Sequence, residues 1–107
     1  MFDLVQYLAN GSHPVVVGGP EPSLDDLKER LNTMLYAFVK FTDTQGGTDL
    51  GVAVDPESTD LSGANFESAT GTVHIEGTLT LDFVHVRCVA EIDLATMAGS
   101  GHLIMAA

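Results

Sequence analysis

His74-Ile75-Glu76 sets an imidazole and a carboxylate two residues apart, a spacing that in a strand puts both on one face. Such a pair suits two chemistries: two ligands to a metal, or an acid–base couple in which the carboxylate orients the ring. The zinc-deaminase pattern also contains H-x-E, but its P-C-x-x-C partner is absent from the sequence. A triad of two histidines and one carboxylate needs a second His nearby, and strand register says which. If Asp82 and Phe83 form a two-residue turn, Thr80 faces His85, Thr78 faces Arg87 and His74 faces Glu91. His85 then lies roughly 13 Å along the sheet from Glu76, too far to share an ion. If Leu94 pairs with Gly101, His102 faces Asp93, next to Glu91. The polar face then gathers His74, Glu76, Glu91, Asp93 and His102 at one end of three adjacent strands. The candidate catalytic set on this face is His74, Glu76, Arg87, Glu91 and His102. Within it, His74, Glu76, Glu91 and His102 form a ligand set for a divalent transition metal. A one-residue slip disperses the set. The simpler reading is a solvated face of cross-strand His–carboxylate pairs, each worth well under about 1 kcal/mol.

Other reactive side chains carry less. Cys88 alternates with Val86 and Ala90, which marks it as a small buried hydrophobe rather than a nucleophile. Asp55, Glu57 and Asp60 fall in one acidic stretch but lack the glycine and terminal Glu of a twelve-residue calcium loop. Ser12-His13 is part of no G-x-S-x-G elbow, and His13, just before Pro14, reads as structural or exposed. Gly18-Gly19-Pro20-Glu21-Pro22 is a hinge; it lacks the spacing and the Lys of a phosphate-binding loop.

The elements that would position these residues follow from periodicity. Met1, Leu4, Val5 and Leu8 have helical spacing, stopped by Asn10-Gly11. Val15-Val16-Val17 is a brief strand. Ser23 is an N-cap type, Asp25 and Asp26 suit a first turn, and Leu24, Leu27, Leu31, Met34 and Leu35 give the strongest helical stripe. Residues 36–42 continue that stripe through Phe38 and Phe41, yet their aromatic and β-branched content tips them to strand, paired with residues 50–54. Residues 55–70 form a polar, turn-rich loop. From Gly71 two long strands alternate apolar and polar, with Gly77 as a possible bulge, and residues 102–106 make a last strand. The expected fold is α+β: one main helix packed on a mainly antiparallel sheet of about four to six strands, flat or rolled into a small barrel-like form.

The 107 residues make a single domain, 45% apolar and with a mean hydropathy of +0.21, which is too apolar for a disordered segment. Net charge is −11, and it is uneven. Through residue 42 there are five acids against three bases; beyond it ten acids face only Arg87. Such a surface repels nucleic acid and anionic lipid. No apolar run reaches the roughly 18–20 residues of a membrane span, the N-terminal stretch lacks a basic signal-peptide region, and one cysteine excludes an internal disulfide. A cytoplasmic location is the expectation.

Two functional classes remain. The first is a non-catalytic accessory or assembly protein that docks on itself or on a larger enzyme, so that the working state is not a free monomer. The apolar Leu103-Ile104-Met105 in so small a domain supports it. The second is a lyase, isomerase or metal-assisted enzyme, or a ligand-binding domain, using the His–carboxylate face. An acidic decoy for a nucleic-acid-binding protein is a weaker third.

Overall fold

The structure, a computed structural model, describes residues 3–19 and 22–105. Met1 of the expected first helix, Pro20 and Glu21 of the hinge and Ala106 of the last strand lie outside them. In chain order the described elements are α1 (Leu4–Ala9), β1 (His13–Val17), α2 (Leu24–Glu29), β2 (Tyr36–Phe41), β3 (Thr48–Val54), β4 (Ala64–Asn65), β5 (Thr70–Leu81), β6 (Val84–Asp93) and β7 (Ala98–Met105). Asp3 caps α1 by accepting from the Gln6 amide, and Ser23 caps α2 by accepting from the Asp26 amide. Helix α2 runs on into one π-helical turn, Arg30–Met34, which Leu35 stops in a left-handed conformation (φ 53°). Tyr36–Phe41 is then strand, with Ala37, Val39 and Phe41 turned inward.

The strands lie in the order β3-β2-β1-β7-β6-β5, every pairing antiparallel. β3 returns to β5 through Ala53–Thr78 and Val54–Gly77, so six strands close into a barrel, and β4 attaches to the far half of β5. This corrects the α+β expectation. Half of the described residues are strand and 17% are helix. A six-residue α2 spans only about 9 Å and cannot cover a six-strand face. The sheet covers its own apolar face by rolling up, which also removes its open edges.

The barrel is filled by side chains from its inward rows, among them Val39, Phe41, Val52, Ile75, Cys88 and Ile92. Val5 and Leu8 of α1 join this core, as do Leu27 of α2 and Leu31 of the π turn. Because α1 immediately precedes β1 and α2 follows it, the two helices stand at opposite ends of the barrel. Leu31→Ala and Ile92→Ala, at 3% and 1% exposure, should each cost about 2–4 kcal/mol, read as a lowered denaturation midpoint at unchanged slope.

Asp82 and Phe83 do form a two-residue turn, both left-handed (φ 51° and 66°), and the β5–β6 register follows from it: Thr80 faces His85, Thr78 faces Arg87, His74 faces Glu91. Gly77 makes no bulge; the ladder runs unbroken from Thr72 to Leu81. The β6–β7 register departs from expectation. Asp93 faces Ala98, and His102 faces Val89. The turn is tighter because Asp93 holds it: its carbonyl accepts from the Met97 amide at 2.7 Å and its carboxylate from the Ala95 amide at 2.9 Å.

Candidate functional site

Alternation along β5 and β6 turns His74, Glu76, Arg87 and Glu91 outward, and the register sets His74 across from Glu91. His74 Nδ1 is bonded to the Glu91 carboxylate, and Nε2 to Glu76 Oε2 at 2.7 Å. The other oxygen of Glu76 accepts from Arg87 Nε at 3.0 Å, and Arg87 Nη2 donates to Asp55 Oδ2 at 2.8 Å. Five groups of alternating sign thus form one chain: Glu91, His74, Glu76, Arg87, Asp55.

Asp55 reaches this chain because the loop after β3 zips onto the edge of β5 that β3 leaves open. The Asp55 amide donates to the Glu76 carbonyl at 2.8 Å, and Thr59 Oγ1 bonds both backbone groups of Glu76 at 3.1 Å. Asp60 and His74 exchange backbone hydrogen bonds of 2.8 and 2.9 Å. The loop read as solvated is therefore an edge cover, and the backbone polar groups of β5 are satisfied by it.

Both ring nitrogens of His74 face carboxylates, which only accept, so both nitrogens donate and the ring is an imidazolium. Glu76 first and then Glu91 hold its pKa above the usual value. In turn His74 and Arg87 lower that of Glu76, and Arg87 lowers that of Asp55. The Glu76 and Asp55 links hold above the lowered range of those two carboxylates, and the His74–Glu76 link is lost as pH rises through the raised histidine value. A protonated ring with both N–H groups engaged has no lone pair for a metal or for a substrate proton.

His102, expected in the same set, does not join it. Two inter-strand spacings, across β6, and two residues along the strands separate it from His74, about 10 Å or more. Among the described residues no group of three or more His, Cys, Asp or Glu is placed to hold a metal ion. Asp60, weighed as a calcium ligand with Asp55 and Glu57, accepts instead from Ser62, and Asp55 is engaged by Arg87. Beside the ionic chain lies an open cleft of about 470 Å³ lined by Ser58, Asp60, Ser62, Thr72, His74 and Glu91. Cys88 is fully buried, and burial pushes its thiol up to about 12, so it is a packing residue.

A second cluster went unseen in the sequence. His13, 6% exposed, bonds Asp43 Oδ2 through Nδ1 at 2.7 Å and the Asn10 carbonyl through Nε2 at 3.0 Å. Tyr7 donates its hydroxyl to the same Asp43 oxygen at 2.9 Å, and its ring lies 4.7 Å from the imidazole. Asp43 raises the pKa of His13, and His13 lowers that of Asp43. These residues adjoin a cleft of about 660 Å³ between α1, the β2–β3 loop and the Asp82–Phe83 turn, lined by Leu4, Tyr7, Asp43, Gln45, Thr48 and Asp82. An aspartate in a loop thirty residues from its histidine leaves no local pattern in the sequence. Among the described residues no helix is long and apolar enough to cross a membrane. No protein-family model matches the chain, and no curated protein matches it.

Proposed function

We propose that this chain is a non-catalytic docking protein whose α1 end seats against a basic protein surface. The observation that carries this is Phe83. It is 100% exposed, at the tip of the β5–β6 hairpin, with φ 66°. The second position of such a turn favours glycine or asparagine, and a bulky side chain there costs about 1–2 kcal/mol. Phe83 recovers nothing by burial within the chain, so the cost is offset only where a partner covers the ring.

The surroundings support the same end. Val84 and Met105 are half-exposed at this end of the barrel, and Ile104 lies just outside it. Asp43, with His13 as its partner, and Asp82 line the adjacent cleft, and among the described residues no Lys or Arg lines it. A net charge of −11 disfavours a second copy and favours a basic partner. The enzyme reading of His74, Glu76, Arg87, Glu91 and His102 has no comparable support, because the first four are bonded to one another in the ionic chain and His102 stands apart.

Phe83→Gly should separate stability from docking. The fold should gain about 1 kcal/mol by relief of the left-handed position, while the protein retained by wild type on an affinity matrix should be lost. Retention of the same protein by Phe83→Gly, or a wild-type dimer that Phe83→Gly dissolves in sedimentation, would overturn the basic-partner reading.

A further inference from the structure

Helix α1 has six residues, too few to hold its shape alone in water. What seats it is the burial of Val5 and Leu8 and the cluster around His13. The acceptors about that ring are unequivocal. A backbone carbonyl only accepts, so Nε2 must donate to Asn10; the Asp43 carboxylate, already accepting from Tyr7, takes the Nδ1 proton. His13 is an imidazolium buried against one carboxylate. Neither hydrogen bond can be given up without leaving a nitrogen of this buried ring without its acceptor or facing another lone pair.

We propose that His13 is a pH-sensitive pin: protonated, it fastens α1 to the β2–β3 loop across the barrel end, and its deprotonation releases the helix. Each tie crosses between segments. Asn10 is the C-cap of α1, His13 opens β1, Asp43 lies just beyond β2, and Tyr7 returns from α1 to Asp43. The titratable groups facing the ring are Asp43 from the loop and Tyr7 from the helix; Phe41 of β2 and Gly101 of β7, also against it, carry no charge. Loss of the proton turns one nitrogen into an acceptor aimed at the Asn10 oxygen or at Asp43, and that repulsion falls on the segment joining α1 to β1.

The sign follows from the carboxylate beside the ring, which raises its pKa above the usual 6.5. The stabilisation is complete below 6.5 and is lost as pH rises through the raised value. Because Leu4 and Tyr7 form one wall of the acidic cleft, releasing α1 also dismantles the docking surface. That last step rests on the function proposed above; the pinning of α1 does not.

Amide hydrogen exchange from pH 5.5 to 9, corrected for the intrinsic base-catalysed rate, tests the pin with no partner present. Protection of the α1 amides should be flat at low pH and then fall by up to about tenfold per pH unit above the His13 midpoint. Amides of β5 and β6 should not follow. The His13 ring signal in NMR should titrate above 6.5, and Asp43→Asn should move both midpoints down by at least one pH unit. His13→Gln should abolish the pH step; since that variant risks misfolding, the wild-type titration and Asp43→Asn stand without it. A wild-type His13 midpoint at or below 6.5, or α1 protection that tracks β5 and β6, would overturn the pin. If α1 releases on schedule but partner affinity stays constant over that range, the link to docking falls. If Phe83→Gly leaves binding intact, the docking function falls while the pin stands.

Discussion

Alanine at Phe41 should remove about 3–5 kcal/mol, the heaviest loss expected of any side-chain truncation in this barrel. Phe41 is the largest of the fully buried side chains. It pairs with Val15 on one side and Thr48 on the other, and its ring meets the His13 imidazole edge-on with centroids 6.3 Å apart. Truncation leaves a cavity against β1, where backbone hydrogen bonds limit collapse, and withdraws packing from the imidazolium. Small domains have total stabilities of about 5–15 kcal/mol, so a substantial fraction is at stake. Urea denaturation at pH 6, with His13 protonated in wild type, measures it. A loss under about 1.5 kcal/mol would mean that the barrel interior repacks freely.

Gly77→Val should be comparably severe, against what strand propensity alone suggests. Valine is a strong strand former and glycine a weak one, so an isolated hairpin would gain from the change. In the barrel a Cβ at position 77 would lie 2.2 Å from the Ala53 carbonyl oxygen and 2.5 Å from Val52 Cγ1. The first obstacle is backbone, and it cannot rotate away. Relief comes only by parting β3 from β5, which are joined there by just two residue pairs. The expected cost is about 4 kcal/mol or more, beyond ordinary overpacking, together with aggregation through the two exposed edges. Gly63→Ala serves as the contrast, since its Cβ would meet the Thr72 carbonyl at an ordinary 3.5 Å. Equal stabilities for the two variants would contradict the seam as the point of closure.

The sequence was informative where physics is local. A two-residue turn at Asp82 and Phe83 sets the β5–β6 ladder, and with it the meeting of His74, Glu76, Arg87 and Glu91 on one face. It misled at His102, because Ala98-Gly99-Ser100-Gly101 has no apolar alternation and reads as a turn. It is strand, and it uses glycine because a Cβ at Gly99 would fall 1.8 Å from the Glu91 backbone carbonyl oxygen. The barrel itself was hidden for a similar reason. Closure depends on two pairs between β3 and β5, and nothing in Ala53-Val54 or Gly77-Thr78 announces that they meet. Of the helical stripe Leu24, Leu27, Leu31, Met34 and Leu35, only Leu27 and Leu31 are buried; Met34 and Leu35 are exposed where the helix ends in a π turn, and the element stops one barrel end rather than lining a sheet. Asp55 with Arg87, and Asp43 with His13, are joined only by the finished topology.

The pairing of β1 with β7 has a consequence for how the chain acquires its shape. Val15 lies against Gly99 and His13 against Gly101, so one of the first strands made takes a neighbour from the last. At roughly 5–20 residues per second, synthesis leaves β1 waiting on the order of ten seconds for that neighbour. During this interval β1, β2 and β3 can assemble only as an open sheet, with Val39, Phe41 and Val52 facing water. Contacts of such high sequence separation also place the free chain among slow folders, in the millisecond-to-second range. The newborn chain is therefore most exposed to misassociation just before its final strand emerges, and a holding chaperone would matter more to its yield than the modest size of the domain suggests.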